Sequence, residues 1–273
     1  MKRQSGQALV LVLLSLAVVL TLVLFVLSRS VTDIAVSSRQ EESVRAFSAA
    51  EAGIEKALII GSSAGSVTIG DASYTSSVSN FASGVTNFVY PVELDSGDDM
   101  TLWLKSHDTD PNFTGNTIKI CWGKPGAYSD QSVMPAIETT LIYETTANDP
   151  ATAKIFRAAF DPNTAGRRAL NSFAAAGGSC TVAGQSFQFQ TTLSLVGLTN
   201  PQFLGVKMLY NTDTSQSIAF DSTNASLFPS QGQEITSTGV SGESNRRLNV
   251  FQGWPEIPDI FGYAVYSSTG LTK

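Results

Sequence analysis

Histidine occurs once in this chain, at His107, and cysteine twice, at Cys121 and Cys180. So few soft ligands, spaced so widely, argue against a zinc site, which draws three or four His, Cys or carboxylate groups together. One histidine also leaves Ser-His-acid chemistry almost without a base. Gly61-Ser62-Ser63-Ala64-Gly65 has the letters of a nucleophile elbow. That elbow needs a strand before the serine and a helix after it. Here a long helical pattern precedes and the strand-like Val67–Ile69 follows, so helix termination accounts better for the glycines. Neither a phosphate cradle nor a dinucleotide fingerprint is present. The expectation is a chain with no catalytic residue and no cofactor.

Charge is missing from a second place. Between Ala8 and Leu27 lie 20 residues without a charged side chain, 16 of them Leu, Val or Phe. As a helix this run is roughly 30 Å long, the thickness of a bilayer's hydrocarbon core. Each Leu, Val or Phe favours insertion by about 0.3–0.6 kcal/mol near the bilayer centre. Lys2 and Arg3 precede the run and hold the short N-terminus in the cytoplasm, which sends the remainder of the chain outward. A cleaved secretory signal is the competing reading. Its apolar region spans only about 7–15 residues and ends in a small-x-small site. This run is longer, and Ser28-Arg29-Ser30-Val31 follows it.

Proline and glycine are absent from Gln7 to Ala52, and Arg39 to Leu58 is rich in helix formers. Phe47, Ala50, Ile54, Ala57 and Leu58 fall on one helical stripe, predicting an amphipathic second half that ends at Gly61. One helix from Gln7 to Ile60 would be about 80 Å long. Gly61–Ser66, small and polar, reads as a hinge between this stalk and the head.

From residue 61 to 273 the pattern changes to strands, enough for one large β domain or two smaller ones. Runs at Asn87–Leu94, Met100–Lys105, Thr117–Trp122, Glu138–Glu144, Lys154–Phe160, Phe187–Val196, Phe203–Tyr210 and Arg247–Phe251 are separated by turn clusters such as Asp95-Ser96-Gly97-Asp98. Phe187, Phe189, Thr191 and Leu193 project to one side and Gln188, Gln190 and Thr192 to the other, as in a half-exposed antiparallel sheet. Ala165–Ala176 reads as a short helix stopped by Gly177-Gly178. No repeat of fixed period occurs. The fold class is therefore α+β: a long transmembrane and amphipathic helix, then a β-rich, mostly antiparallel head.

Cys121 and Cys180 both fall on the exported side, where disulfides persist, and one bridge would close a loop of 58 intervening residues. Two separate buried thiols are the alternative, since spacing alone does not show proximity. Asp108, Asp110 and Asn112 alternate as oxygen ligands do in calcium loops, but Phe113 and Lys119 stand where the loop wants Gly and Glu. A solvated turn at Asp110-Pro111 is the default, with a calcium site the lesser alternative.

The segment Ala46-Phe47-Ser48-Ala49-Ala50-Glu51-Ala52-Gly53-Ile54-Glu55, behind the leader junction Ser5-Gly6-Gln7 and its apolar run, resembles the N-terminal domain of PilX-type minor type IV pilins. More loosely, Ile235-Thr236-Ser237-Thr238-Gly239 followed by Arg246-Arg247-Leu248 resembles a C-terminal hairpin of such proteins. The resemblance implies a leader at residues 1–6, cut by a prepilin peptidase between Gly6 and Gln7, with Gln7 then N-methylated. It implies an assembly helix in which Leu11, Phe47, Glu51 and Gly53 take part. Its partners would be membrane lipid, other major and minor pilins, and the inner-membrane assembly platform. The protein would reside in a bacterial cytoplasmic membrane as a single pass and then in an extracellular pilus. Most pilins carry Glu at the fifth residue after the cut, where this chain has Leu11. GspK-like minor pseudopilins of type II secretion systems also lack it, which favours priming or a tip position over a shaft subunit. Without the leader, 15 basic residues face 23 acidic ones, a net charge near −8. Such a chain gains little from phosphate neutralisation, so no nucleic-acid partner is expected. Arg167-Arg168 and Arg246-Arg247 read as solvated loop or strand charges. A membrane-anchored β-rich surface adhesin or binding module is the competing function class, which needs no cut at Gly6; a minor pseudopilin of a type II secretion system is the other alternative, close to the pilin reading.

Overall fold

The computed structural model describes residues 7–126, 128, 130, 133–210 and 213–256. It has a long N-terminal helix followed by antiparallel β structure, the expected α+β class. Helix α1 runs Gln7–Ile60, 54 residues without a break. After it come β1 Ala64–Ile69, β2 Ala72–Phe81, β3 Asn87–Val89, β4 Asp99–Trp103, β5 Thr117–Trp122, β6 Ala136–Glu144 and β7 Ala153–Asp161. The short helix α2, Arg167–Asn171, then leads to β8 Ala174–Ala175, β9 Cys180–Val182, β10 Gln185–Phe187, β11 Phe189–Ser194, β12 Pro201–Leu209, β13 Ile218–Asp221, β14 Gly232–Ser241 and β15 Ser244–Gly253.

The chain forms two compact units. One runs through Val78 and takes in Ile235–Val250; the other holds Ser79–Glu234 and continues from Phe251. The first unit therefore contains α1 together with a sheet of order β1-β2-β14-β15. The expected break at residue 60 does not separate helix from sheet. Gly61, at φ +64°, closes α1 by donating its N–H to Ala57 O at 2.8 Å. The expected hinge at Gly61–Ser66 is built into the fold instead. Ala64 already pairs with Ser76, and Ser63 Oγ accepts the Val78 N–H at 2.9 Å.

In the second unit a sheet of order β11-β5-β13-β3 and a sheet of order β4-β12-β6-β7-β8 share one core. Period-two alternation builds it. Leu204, Val206 and Met208 of β12, Ile118, Ile120 and Trp122 of β5, and Ile137 and Leu141 of β6 are all fully buried. Trp122 meets its one polar obligation through Nε1–H to Pro135 O at 2.9 Å. Phe189, Thr191 and Leu193 face inward and Thr192 outward, as their alternation predicts, but Phe187, expected on the same side, ends β10 and packs in a separate cluster. The other face of β5 and β13 is covered by the hairpin of β9 and β10, where Val182 and Phe187 pack on Cys121 and Ala219.

Two strand and helix expectations change. The run Asn87–Leu94 is a strand only to Val89, because Pro91 has no N–H to donate; Leu94 rejoins through a single bridge to Gln216. Ala165–Ala176 is helical only at Arg167–Asn171. Ser172 ends it in a left-handed conformation, and Ala174 and Ala175 pair in parallel with Phe160 and Asp161 of β7. Tertiary pairing overrides the helix propensity of an Ala-rich segment.

Candidate functional site

Helix α1 carries two surfaces of opposite character. From Leu9 to Leu27 every large apolar side chain is 48–66% exposed, Leu11 at 66% among them. No other part of the described chain covers this stretch, and it is long and apolar enough to span a membrane. It is compatible with a single membrane anchor. Gly6 lies outside the described residues; Gln7 opens α1, and its side chain is likewise outside what is described.

Farther along, the same helix lies against its sheet. Ala46, Ala49, Ala50, Ile54 and Ala57 are buried, as is Gly53. These residues recur at helical spacing, and their small size sets the distance of approach. A Cβ placed on Gly239 of β14 would meet Ala46 O and come within 2.6 Å of Ala50 N. One placed on Gly53 would strike Ser237 and lie 2.7 Å from Tyr74 Cδ2 of β2. At Gly239 strand and helix backbones are thus in near contact, and at Gly53 the Ser237 and Tyr74 side chains fill the space, so both points favour glycine. Ile54 and Ala57 then pack on Ile235, with Val78, Leu248 and Val250 around them.

Polar contacts flank the seam. Arg45 bonds Glu41 at 2.5 Å and Asp71 at 3.1 Å. Arg246 of β15 donates to Ser43 Oγ through Nε at 3.0 Å, and the Glu243 N–H donates to Glu42 at 3.2 Å. These bonds are exposed and contribute a few tenths of a kcal/mol each, roughly. They fix register, while the stability comes from the packed seam. The buried stripe keeps the expected Ala50, Ile54 and Ala57 and adds Ala46, Ala49 and Gly53, while Phe47 and Leu58 stand 43% and 40% exposed. Glu51 is exposed as well. Of the assembly-helix residues, Gly53 therefore faces its own sheet, while Leu11, Phe47 and Glu51 face away. Small residues scored as neutral in the hydrophobic pattern, and that hid the true contact face. The strand-side signal was Gly239 inside a run of β-formers.

In the second unit Cys121 and Cys180 are bonded, with their Cα atoms 6.3 Å apart. The bridge ties the β9–β10 hairpin over β5. Asp108, Asp110 and Asn112 accept hydrogen bonds from separate protein donors. Asn80 Nδ2 donates to Asp108, Ser83 Oγ and the Ser230 N–H to Asp110, and the Ser106 N–H to Asn112. The three acceptors fasten a loop. His107 packs edge-on to Trp103 at 4.1 Å and beside Trp254 at 5.5 Å, and burial lowers its pKa. Arg167 is not a solvated charge. Its Nε and Nη2 grip both oxygens of the fully buried Asp161 at 2.9 and 2.7 Å, and its guanidinium lies 4.2 Å from the centre of the Tyr210 ring. Burial alone would raise the Asp161 pKa; bonds from Arg167, the Asn163 N–H and Asn171 outweigh it and hold the carboxyl below its usual range.

Comparison with known proteins returned no match of any kind: no family model, no curated protein and no solved structure.

Proposed function

We propose that this chain is a minor, PilX-like type IV pilin that acts in pilus assembly, at the priming or tip stage, and is not a shaft subunit. The observation that carries this reading is the division of labour along α1. Its first half is apolar and uncovered. Its second half, Ala46–Gly53, is locked to a sheet through the very segment that resembles the pilin signature. A lipid-soluble half-helix that can leave the bilayer with its sheet attached is what a subunit extracted into a fibre requires. A permanent anchor needs the first half only. Extraction replaces lipid by neighbouring apolar helices, so the Leu- and Val-rich surface stays dry on both sides of the transfer.

Leu11 sets the place of the subunit. With no carboxylate there, the chain offers nothing to a neighbour's N-terminal amine, yet its own amine at Gln7 can still meet another subunit's Glu. One productive contact of the two survives, which suits an end position or a membrane priming complex. The prepilin peptidase, the assembly platform and other pilins are the proposed partners. Deleting the gene should lower pilus number. Sheared, purified fibres analysed by quantitative mass spectrometry should contain this chain in traces. Near-stoichiometric abundance along the shaft would reject the minor-subunit assignment.

A further inference from the structure

The second unit carries a cleft of about 340 Å³, within the size range of small-ligand sites. It lies between the loops that follow β4, β6 and β11 and the start of β12. Phe113, Leu195 and Leu198 supply apolar floor; the first two are buried and the third half-buried. The rim is unusual for its amides: Asn112, Asn116, Asn148, Asn200 and Gln202, with Lys105 beside them. Among the described residues no Asp or Glu lines the cleft.

Most of that amide capacity is unspent. Asn112 uses only its Oδ1, as acceptor from the Ser106 N–H at 2.8 Å, leaving both protons on Nδ2. Gln202 donates from Nε2 to Asn200 O at 2.8 Å and keeps its Oε1. Asn200 donates from Nδ2 to Glu144 O at 3.3 Å and keeps its Oδ1. Asn116 and Asn148 have no side-chain bond to the described residues. The rim therefore offers both donors and acceptors beside an apolar floor. Hydroxyl groups, each both donor and acceptor, satisfy such a set, and a saccharide ring offers them together with an apolar C–H face. Lys105 is half-buried and makes no ion pair with the described residues, so its ammonium is available to an anionic group in the cleft.

We propose that this cleft binds an acidic saccharide unit, its hydroxyls held by the Asn and Gln amides and its carboxylate by Lys105 Nζ. The inference stands on the cleft alone and does not require the pilin reading.

The test uses the full chain in detergent micelles, titrated calorimetrically with trigalacturonate, a hyaluronan tetrasaccharide and sialyllactose. Maltotriose serves as the neutral sugar and sodium acetate as the free anion. At least one acidic oligosaccharide should bind saturably, and about tenfold more tightly than maltotriose. Lys105→Gln should weaken it about tenfold, and Asn116→Ala several-fold, roughly the loss of one hydrogen bond each, charge-assisted for the lysine. Both side chains sit on the rim, and unchanged circular dichroism checks that the variants fold. The proposal is overturned if none of the acidic sugars binds, if maltotriose binds as well as they do, if acetate matches them, or if both variants bind like the parent.

Discussion

At the residue scale, two glycines and one buried ion pair carry more than their size suggests. Gly239 and Gly53 let strand and helix backbones approach, with main-chain atoms and a tyrosine ring occupying the space a side chain would need. Gly239→Val should therefore cost about 3 kcal/mol, the upper part of the range for overpacking, because Ala46 O and Ala50 N belong to a helix backbone that cannot rotate away. Gly65→Ala, where nothing lies within 4 Å, is the matched control and should be near neutral. Urea unfolding of the two variants in the same detergent compares them; equal midpoints would show that the seam is looser than its geometry. Asp161 is the second case. Asp161→Ala removes the carboxylate that Nε and Nη2 of the largely buried Arg167 both grip and should cost about 3 kcal/mol. The pH dependence follows from the lowered carboxyl. Its folded-state pKa lies below the unfolded value, so its stabilisation is complete above the ordinary carboxylate range and fades as pH falls through the folded value, below about pH 4. The variant's acid limb should be flatter than the parent's below about pH 4; parallel limbs would mean that another carboxylate governs acid unfolding.

At the scale of elements, the hairpin of β9 and β10 is the part that depends on a covalent tie. It buries Val182 and Phe187 against β5 and β13, and its own pairing spans only three residues a side. Cys180→Ser should cost up to about 4 kcal/mol in the chain-entropy account of a loop this long. Hydrogen exchange should rise at Cys180–Phe187 well before the shared core opens; uniform protection there would show that packing alone holds the hairpin. What could be read from sequence at this scale followed chemistry closely. Strands such as β5, β6 and β12 are rich in aliphatic and aromatic residues with buried positions at every second place, and their places were legible. The partner sheet of α1 was not. In β2 the inward residues are Ala72, Tyr74 and Ser76, and in β14 they include Ser237 and Gly239, because the face they meet is itself made of alanine and glycine. A contact between small residues leaves no hydrophobic stripe to find. For the same reason the helix face was legible at Ala50, Ile54 and Ala57 but not at Ala46, Ala49 and Gly53. The rim of the cleft was equally hidden, since its residues come from separate loops that only the sheets bring together.

For the whole molecule, the account joins an uncovered apolar half-helix to a sheet-locked half and reads the pair as a pilin stalk. Everything in that reading depends on the chain losing its leader. Gly6 offers a peptidase a bond with no side chain on its acyl side, and Gly6→Val should keep the leader attached. Intact-mass measurement of the protein isolated from its native membrane tests the claim most directly. The account predicts a chain that begins at Gln7 and carries the mass of one methyl group on its amine. A protein that still begins at Met1, or one cut near Ser30, would contradict it.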